Sequence, residues 1–305
     1  MSPSPNSSTL STSSTSACSR NSANHHQSCL TNVTRQAVVQ VAYNSSFSEQ
    51  PRLMRIRPGI EIAGLTDVGC QRENNEDSLG YWESADDAVF ARLGRLAVVA
   101  DGMGGHEGGQ IASHIAVEAI QQTYSNAADA DPQKVLIAAL QEAHHRIQRR
   151  ANEDPELQGM GTTCTACAIV GSRVYYAHVG DSRLYLLRNG TLRVLSRDHS
   201  LVARLIETGV IRQEDAESHP QRHVLTAALG VADDVEPDFP AEPLSLEKSD
   251  VLLICTDGLW GQLTEAEMKN VLSSQPPADA CQALVGLAKE HGGPDNVTLQ
   301  IARIV

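Results

Sequence analysis

Two apolar runs of the sequence end in the same dipeptide. Residues 96–102 read Leu-Ala-Val-Val-Ala-Asp-Gly, and residues 251–258 read Val-Leu-Leu-Ile-Cys-Thr-Asp-Gly. Asp101 and Asp257 therefore lie at the tips of predicted buried strands, and the glycine after each allows a sharp turn or a close approach of the backbone. A single dipeptide of this kind is often an ordinary turn, but the repetition favours a shared site.

Two more acidic segments flank predicted strands. One is Arg72-Glu73-Asn74-Asn75-Glu76-Asp77, and the other ends in Asp295-Asn296 before the last strand. If the four loops meet at one edge of the core, Asp77, Asp101, Asp257 and Asp295 converge, and their charges repel unless cations neutralise them. Oxygen ligands without a Cys/His cluster suit Mg²⁺ or Mn²⁺ rather than zinc. Two such ions, about 3.5–4 Å apart, can activate a water and polarise a phosphoryl group.

Short strands must position these carboxylates. Seven runs predict strands because they are apolar or alternating and are bounded by Gly, Asp, Asn or Pro. The pair Asn189-Gly190 predicts a tight hairpin. The seven predicted strands are 60–65, 96–100, 162–170, 174–179, 184–187, 251–255 and 297–304.

Helices are predicted in consecutive pairs. Residues 108–124 form one candidate, and Leu136, Leu140, Ala143 and Ile147 form a single apolar stripe after Pro132. A capping box of Thr264 and Glu267 opens another helix, and a further one follows Pro277. Paired helices beside antiparallel strands favour an α+β fold, with two sheets packed face to face and helices outside.

The composition excludes several classes of protein. The 305 residues are 41% hydrophobic and carry a net charge of −13, with 4% aromatic residues, so a basic nucleic-acid surface is not expected. No stretch approaches the ~18–20 apolar residues of a membrane span, and no secretory signal is visible. We therefore expect a soluble cytoplasmic protein, a monomer, with no nucleic-acid or membrane partner.

The cysteines and the N-terminal segment also bear on the organisation. The seven cysteines have no paired spacing, which predicts a reduced compartment. Cys164 and Cys167 fall in a predicted strand, where residues three apart point to opposite faces, so a shared metal or redox role is not favoured. Residues 1–55 are rich in Ser, Thr and Asn and are predicted to be a disordered tail before a catalytic domain at 56–305.

Six motifs, taken together and in this order, resemble the signature of the metal-dependent protein phosphatases, the protein phosphatase 2C family, in its compact bacterial form. The similarity runs from about Glu61 to Val305. It implies a four-layer α/β/β/α sandwich with two central, mainly antiparallel β-sheets flanked by helix pairs. The motifs are Arg72-x-x-x-Glu76-Asp77, Asp101-Gly102-Met103-Gly104-Gly105-His106, Gly161-Thr162-Thr163, Gly180-Asp181-Ser182-Arg183, Thr256-Asp257-Gly258-Leu259-Trp260 and Asp295-Asn296-Val297-Thr298.

The resemblance implies a site for two Mn²⁺ or Mg²⁺ ions. Asp77 and Asp101 would share the ions, with the carbonyl of Gly102 completing one shell, while Asp257 and Asp295 would hold the other ion. The resemblance further implies that Glu76 acts through a metal-bound water and that Asp181, together with Asp257, holds a possible third ion.

The implied reaction is hydrolysis of phosphoserine or phosphothreonine on proteins by a metal-bridging hydroxide, without a phosphoenzyme. Arg72 matches the phosphate-binding arginine of the family, and a guanidinium suits the phosphoryl oxygens; the alternative is a surface pair with Glu73 or Glu76. His106 is a candidate general acid, with a metal-bound water as the competing donor. Partners would be phosphoproteins, including a cognate serine/threonine kinase.

Residues 199–222 resemble the flap that overhangs the site in bacterial members, and a plain surface excursion is the alternative. Leu201, Leu205 and Ile206 predict a short helix that ends at Gly209. His199 and His219 are expected to be solvated or locally bonded rather than metal ligands.

The sequence leaves three alternatives to this function. The first is an inactive member that binds phosphoproteins, which the presence of all four aspartates and Arg72 disfavours. The second is a sensor-linked phosphatase module that controls sigma-factor antagonists. The third is a nucleotide-binding protein, which is disfavoured because Asp-Gly-Met-Gly-Gly is not a Walker loop.

Overall fold

The computed structural model describes residues 57–104, 107–128, 131–216, 219–231 and 233–305, with two short strands before them. Those strands, Val38–Val39 and Met54–Arg55, pair antiparallel. Apart from them, the predicted tail at 1–55 lies outside the described residues, as does His106.

The strands form two large antiparallel sheets and the separate pair of Val38–Val39 with Met54–Arg55. They are β1 (Val38–Val39), β2 (Met54–Arg55), β3 (Ile60–Asp67), β4 (Asp77–Glu83), β5 (Arg95–Met103), β6 (Gly161–Thr162), β7 (Cys164–Val170), β8 (Arg173–Val179), β9 (Arg183–Arg188), β10 (Thr191–Val194), β11 (Leu244–Ser245), β12 (Val251–Cys255) and β13 (Val297–Ile304). One sheet has the order β10-β9-β12-β13-β3, and the other has the order β11-β8-β7-β5-β4, with β6 pairing to the end of β5.

Seven α-helices accompany the sheets in the described residues. They are α1 (Asp87–Leu93), α2 (Gly108–Ser125), α3 (Pro132–Glu153), α4 (Leu201–Glu207), α5 (Asp257–Trp260), α6 (Glu265–Ser274) and α7 (Pro277–Glu290). The predicted capping box of Thr264 and Glu267 is present at the start of α6. Asp131 caps α3 by accepting hydrogen bonds from the backbone N–H groups of Gln133 and Lys134.

Three apolar clusters separate four layers. One lies between the helix pair α2–α3 and the β5 sheet, a second lies between the helix pair α6–α7 and the β12 sheet, and the third lies between the two sheets. Both sheets are therefore buried on both faces, which explains the continuous apolar runs in their central strands. The predicted α/β/β/α sandwich is confirmed.

Alternate residues of one strand enter different clusters. In β5, Leu96 and Val98 face the helices, whereas Val99 faces the other sheet. Cys164 and Cys167 likewise belong to different clusters. The prediction that these two thiols point to opposite faces is confirmed, because side chains alternate along a strand.

Two of the differences between the predicted and the observed strands concern β4 and β7. Strand β4 is absent from the predictions because its sequence, DSLGYWE, mixes polar residues and a glycine with only three large apolar or aromatic side chains. The predicted strand 162–170 is divided at Thr163, whose backbone N–H donates to the carbonyl of Asp101 at 2.8 Å. Both differences fall beside the acidic loops.

Within the described part of the chain, no helix combines the length and the apolar character needed to cross a membrane.

Candidate active site

The acidic loops meet at one end of the two sheets. Asp77 and Asp101 stand directly opposite each other in the β4–β5 ladder. The other two aspartates belong to the second sheet, in which β12 and β13 are neighbours. Asp257 begins α5 just after β12, and Asp295 precedes β13. A cavity of about 440 Å³ opens there. Its lining includes Arg72, Glu76, Asp101, Gly102, Met103, Asp181, His223, Leu225, Asp257, Asp295 and Asn296.

Both glycines of the repeated Asp-Gly pair are pressed against backbone. A methyl group on Gly102 would overlap the carbonyl oxygens of Gly109 and Glu76, and one on Gly258 would overlap the carbonyl oxygen of Asn296. The glycines thus permit close approach rather than a turn through positive φ. This packing brings neighbouring loops against the two acidic strand ends.

Burial and mutual repulsion dominate the electrostatics of the cluster. Burial, opposed by hydrogen bonds from threonines and reinforced by Asp257, raises the pKa of Asp77 to about 7. Burial followed by the nearby charge of Asp257 raises the pKa of Asp181 to about 8. The pKa of Asp101 is also well above its ordinary value, first through burial and then through Asp77. Carboxylates in such surroundings gain strongly from a neighbouring cation.

Several carboxylate oxygens have protein partners. Thr256 Oγ1 donates to Asp77 Oδ2 at 3.0 Å, and Arg72 Nη2 donates to Asp295 Oδ2 at 2.7 Å. Asp257 differs, because its Oδ1 is buried and has no hydrogen-bond partner among the described residues. A buried, unpartnered carboxylate oxygen is costly and marks a position for a missing partner.

The donor set fits hard divalent cations, although the side chains are not yet arranged around one. Among the described residues, no group of three or more His, Cys, Asp or Glu side chains is placed so that it could hold a metal ion as it stands. Two of the four aspartates have protein partners instead: Asp77 accepts from Thr256, and Asp295 accepts from Arg72. The fit to Mg²⁺ and Mn²⁺ therefore rests on the chemistry of the donors, because both ions prefer oxygen ligands.

Comparisons with known proteins agree with this geometry. The family model described as Protein phosphatase 2C matches residues 71–279. The chain is 39% identical over 239 residues to the serine/threonine phosphatase stp of Listeria welshimeri, which covers 77% of this chain and 92% of that protein. It is 36% identical over 246 residues to the protein phosphatase PhpP of Streptococcus pneumoniae, which covers 79% of this chain and 96% of that protein.

The chain belongs to the protein phosphatase 2C family. It is therefore a protein serine/threonine phosphatase. The crystal structure of the Mycobacterium tuberculosis phosphatase PstP/Ppp matches with a TM-score of 0.72 at 35% identity, over 81% of this chain and 99% of that one. The PstP catalytic domain in complex with two manganese ions matches with a TM-score of 0.70 at 33% identity, over the same shares of the two chains.

Most of the residues that the phosphatase motifs single out meet at this cavity. Glu76, Gly102 and Asp181 line it with three of the four aspartates, and Asp77 adjoins it through the ladder. Arg72 lies at its edge with a half-exposed side chain and pairs with Asp295, not with Glu73 or Glu76 as the surface alternative supposed.

Buried hydroxyl groups that the sequence analysis did not assign hold the acidic loops together. Thr163 Oγ1 accepts from the backbone N–H of Asp101 at 3.1 Å and shares a 2.7 Å hydrogen bond with Ser182 Oγ. The Gly-Thr-Thr motif of the phosphatase thus joins the Asp101 strand to the turn that carries Asp181. Thr163 and Ser182 both lie in motifs that the sequence analysis singled out, but neither hydroxyl group was given a role there.

Asp181 is also positioned by the second Asp-Gly motif. Trp260 Nε1 donates to the carbonyl of Asp181 at 3.0 Å. The guanidinium of Arg183 stacks 3.6 Å from the centre of the Trp260 ring and is held by hydrogen bonds to Asp198. Two motifs that lie far apart in the sequence therefore form one support.

Asn296 joins two more loops of the phosphatase. Its Oδ1 accepts from the backbone N–H of Glu76 at 2.8 Å, and its Nδ2 donates to the carbonyls of Val68 and Asn74. The side chain therefore secures the segment that carries Glu76 and Asp77 against the loop of Asp295. It thereby holds two of the acidic loops together.

The predicted flap contains the expected short helix, which is α4. Gly209 follows it with a φ of +72°. His199 accepts from the backbone N–H of Gly180 at 3.4 Å, and His219 accepts from that of Gln221 at 3.2 Å, so both rings are locally bonded as predicted. The side chains that reach the cavity, His223 and Leu225, come just after the predicted range 199–222.

Proposed function

We propose that this phosphatase hydrolyses phosphoserine and phosphothreonine on proteins by direct attack of a water activated between two divalent cations, Mn²⁺ or Mg²⁺, without a phosphoenzyme. One observation carries the proposal: carboxylates from four loops, contributed by both sheets, share one cavity in which Asp257 Oδ1 is buried without a partner among the described residues. The two manganese ions named for the PstP structure support the number of ions.

The ligands follow from the grouping of the loops. Asp77 and Asp101, which face each other in one sheet, would share the two ions, with the carbonyl of Gly102 beside them. Asp257 and Asp295, at neighbouring strand ends of the other sheet, would hold the second ion. Glu76 would act through a water, and Asp181 with Asp257 would hold a third ion when one binds.

The ions would supply a water of lowered pKa and neutralise the phosphoryl oxygens. The protein's own groups orient the substrate. Arg72 is half-exposed at the edge of the cavity and can turn its guanidinium toward a phosphoryl group. Its positive charge favours binding of the phosphorylated substrate over binding of the neutral alcohol product. His106, which lies outside the described residues, is the proposed proton donor to the leaving serine or threonine oxygen.

The test is hydrolysis of p-nitrophenyl phosphate and of a phosphothreonine peptide. We expect turnover with added Mn²⁺, its loss in EDTA, and its loss in Asp257→Ala. Asp279→Ala is the matched control, because Asp279 is an exposed aspartate of α7 outside the cavity. Manganese-loaded protein that binds phosphopeptides without hydrolysing them would instead establish the inactive, phosphoprotein-binding alternative.

A further inference from the structure

His223 brings a nitrogen donor to the acidic cavity. It lines the cavity, and its Nδ1 lies 4.0 Å from Asp257 Oδ2. Its side chain is 68% exposed, so the ring can move toward the carboxylate without breaking a packed core. Asp257 is also the residue whose other oxygen is buried without a partner among the described residues.

The backbone around His223 is held in place. The N–H of Leu201, the first residue of α4, donates to the carbonyl of Val224 at 2.8 Å, and Leu225 forms a β-bridge with Ser200. The N–H of Thr226 donates to the carbonyl of His199 at 2.8 Å. These backbone hydrogen bonds therefore hold the segment that carries His223 at the edge of the cavity.

A second imidazole on the same turn provides a comparison. His219 lies four residues earlier, and its Nδ1 accepts a hydrogen bond from the backbone N–H of Gln221. It does not line the cavity. His219 therefore stabilises the turn, whereas His223 faces the carboxylates.

The separation of Nδ1 and Oδ2 suits two ligands of one ion. Nitrogen and oxygen ligands lie about 2.0–2.2 Å from first-row divalent metals, so two ligands of one ion can be up to about 4.3 Å apart. The observed 4.0 Å falls within that limit. Histidine in its neutral form is the most common metal ligand among protein side chains.

We propose that His223 is a nitrogen ligand of a divalent cation held by Asp257. The inference rests on the proposed function, because it needs the ion that the aspartates hold. Imidazole favours transition metals, while Mg²⁺ prefers oxygen alone. His223 therefore biases this site toward Mn²⁺ and other first-row transition metals over Mg²⁺.

Pulsed electron paramagnetic resonance of the Mn²⁺-loaded full chain tests the ligand directly. Electron spin-echo envelope modulation reports ¹⁴N bound to Mn²⁺ independently of turnover. We expect ¹⁴N modulation in the wild type and in the control His219→Gln, and its loss in His223→Gln. The Kd for Mn²⁺, from the free Mn²⁺ signal, should rise about tenfold in His223→Gln, while the Kd for Mg²⁺ should stay unchanged.

Each other outcome has a separate meaning. Mn²⁺ uptake without ¹⁴N modulation in the wild type, or modulation that persists in His223→Gln, would overturn the ligand role and leave the carboxylate site intact. Modulation lost only in His106→Gln would assign the nitrogen to His106 and would equally overturn it. No Mn²⁺ uptake in any variant would overturn the proposed metal-dependent function and this inference together.

Discussion

The β4–β5 ladder pairs opposite charges at one end and like charges at the other. At one end Glu83 stands opposite Arg95, with Arg95 Nε 3.2 Å from Glu83 Oε2 and both side chains 9% exposed. At the other end Asp77 stands opposite Asp101. Like charges directly across a ladder destabilise a sheet, whereas opposite charges stabilise it. The charges at one end are thus paired within the chain, whereas the other end sets two acidic groups face to face, where the proposed cations would bind.

Strand β12 repeats the contrast along a single segment. Asp250 precedes it and Asp257 follows it. Burial would raise the pKa of Asp250, but hydrogen bonds from Arg188 and from the backbone N–H of Glu247 outweigh burial and lower it. Burial and Asp295 raise the pKa of Asp257. Buried acids with raised pKa values gathered in a cavity are typical of functional sites, while those paired with arginine stabilise the fold.

The largest effect is expected from Asp101→Asn. Removing this carboxylate should lower Mn²⁺-dependent turnover about a thousandfold, comparable to losing a principal electrostatic group of an active site. In EDTA the Tm should be equal to or above that of the wild type, because one of several repelling charges is gone. Phosphopeptide hydrolysis measures the turnover, and thermal unfolding measures the Tm. A lower Tm together with full activity would show that Asp101 stabilises the fold and is not needed for turnover.

The second prediction concerns the balanced end. Glu83→Gln leaves Arg95 buried without its charge partner and should lower the free energy of unfolding by about 3–5 kcal/mol. Turnover per folded molecule should stay near the wild-type value. Urea unfolding provides the measurement, and Glu156→Gln, an exposed position, is the control. Equal stability of Glu83→Gln and the control would show that this pair does not stabilise the ladder.

The third prediction tests the close approach at the acidic end. Gly102→Ala places a methyl group against the carbonyls of Gly109 and Glu76 and should cost about 1–3 kcal/mol of stability, with loss of Mn²⁺ affinity. Gly286→Ala is the matched control, because that helical glycine has no neighbour within 4 Å of an added methyl group. It should stabilise the protein by about 0.5–1 kcal/mol. Similar unfolding free energies for both variants would refute the close packing.

The smallest effect is the pH dependence of Asp250. Because its folded pKa is lowered, its contribution to stability is complete above the unfolded pKa of about 3.9 and disappears as the pH falls through the folded value. The difference in unfolding free energy between wild type and Asp250→Asn should be constant from pH 7 to about pH 5 and shrink below about pH 4. Urea unfolding at several pH values checks this. A difference that grows on acidification would contradict the lowered pKa.

Much of the fold could be predicted because both sheets are buried on both faces. Strands such as β12 and β13 read as continuous apolar runs, and their predicted bounds agree with the structure. Strand β4 could not be predicted in this way. Its Gly80 is packed against Val117 and Gln121 of α2, so a position that looks weak in the sequence is required by the helix above it.

Part of the site could be predicted because apolar strands mark its position in the sequence. The aspartates could be found because each stands beside an apolar strand, and the resemblance named Arg72 and Asp181. The supporting groups could not be found in this way. Thr256 binds Asp77 across 179 residues of sequence, and Thr163 meets Ser182 because β7 and β8 pair in a register that sets Cys164 opposite Val179.

The sequence by itself determined which segments are apolar, where each carboxylate stands relative to its strand, and which glycines leave room for backbone, because these properties are local. Only the tertiary structure decided that Asp77 faces Asp101, that Arg72 reaches Asp295, and that His223 faces Asp257. Those pairings depend on strand register and on the packing of two sheets, which join residues distant in the chain and leave no periodic trace in it.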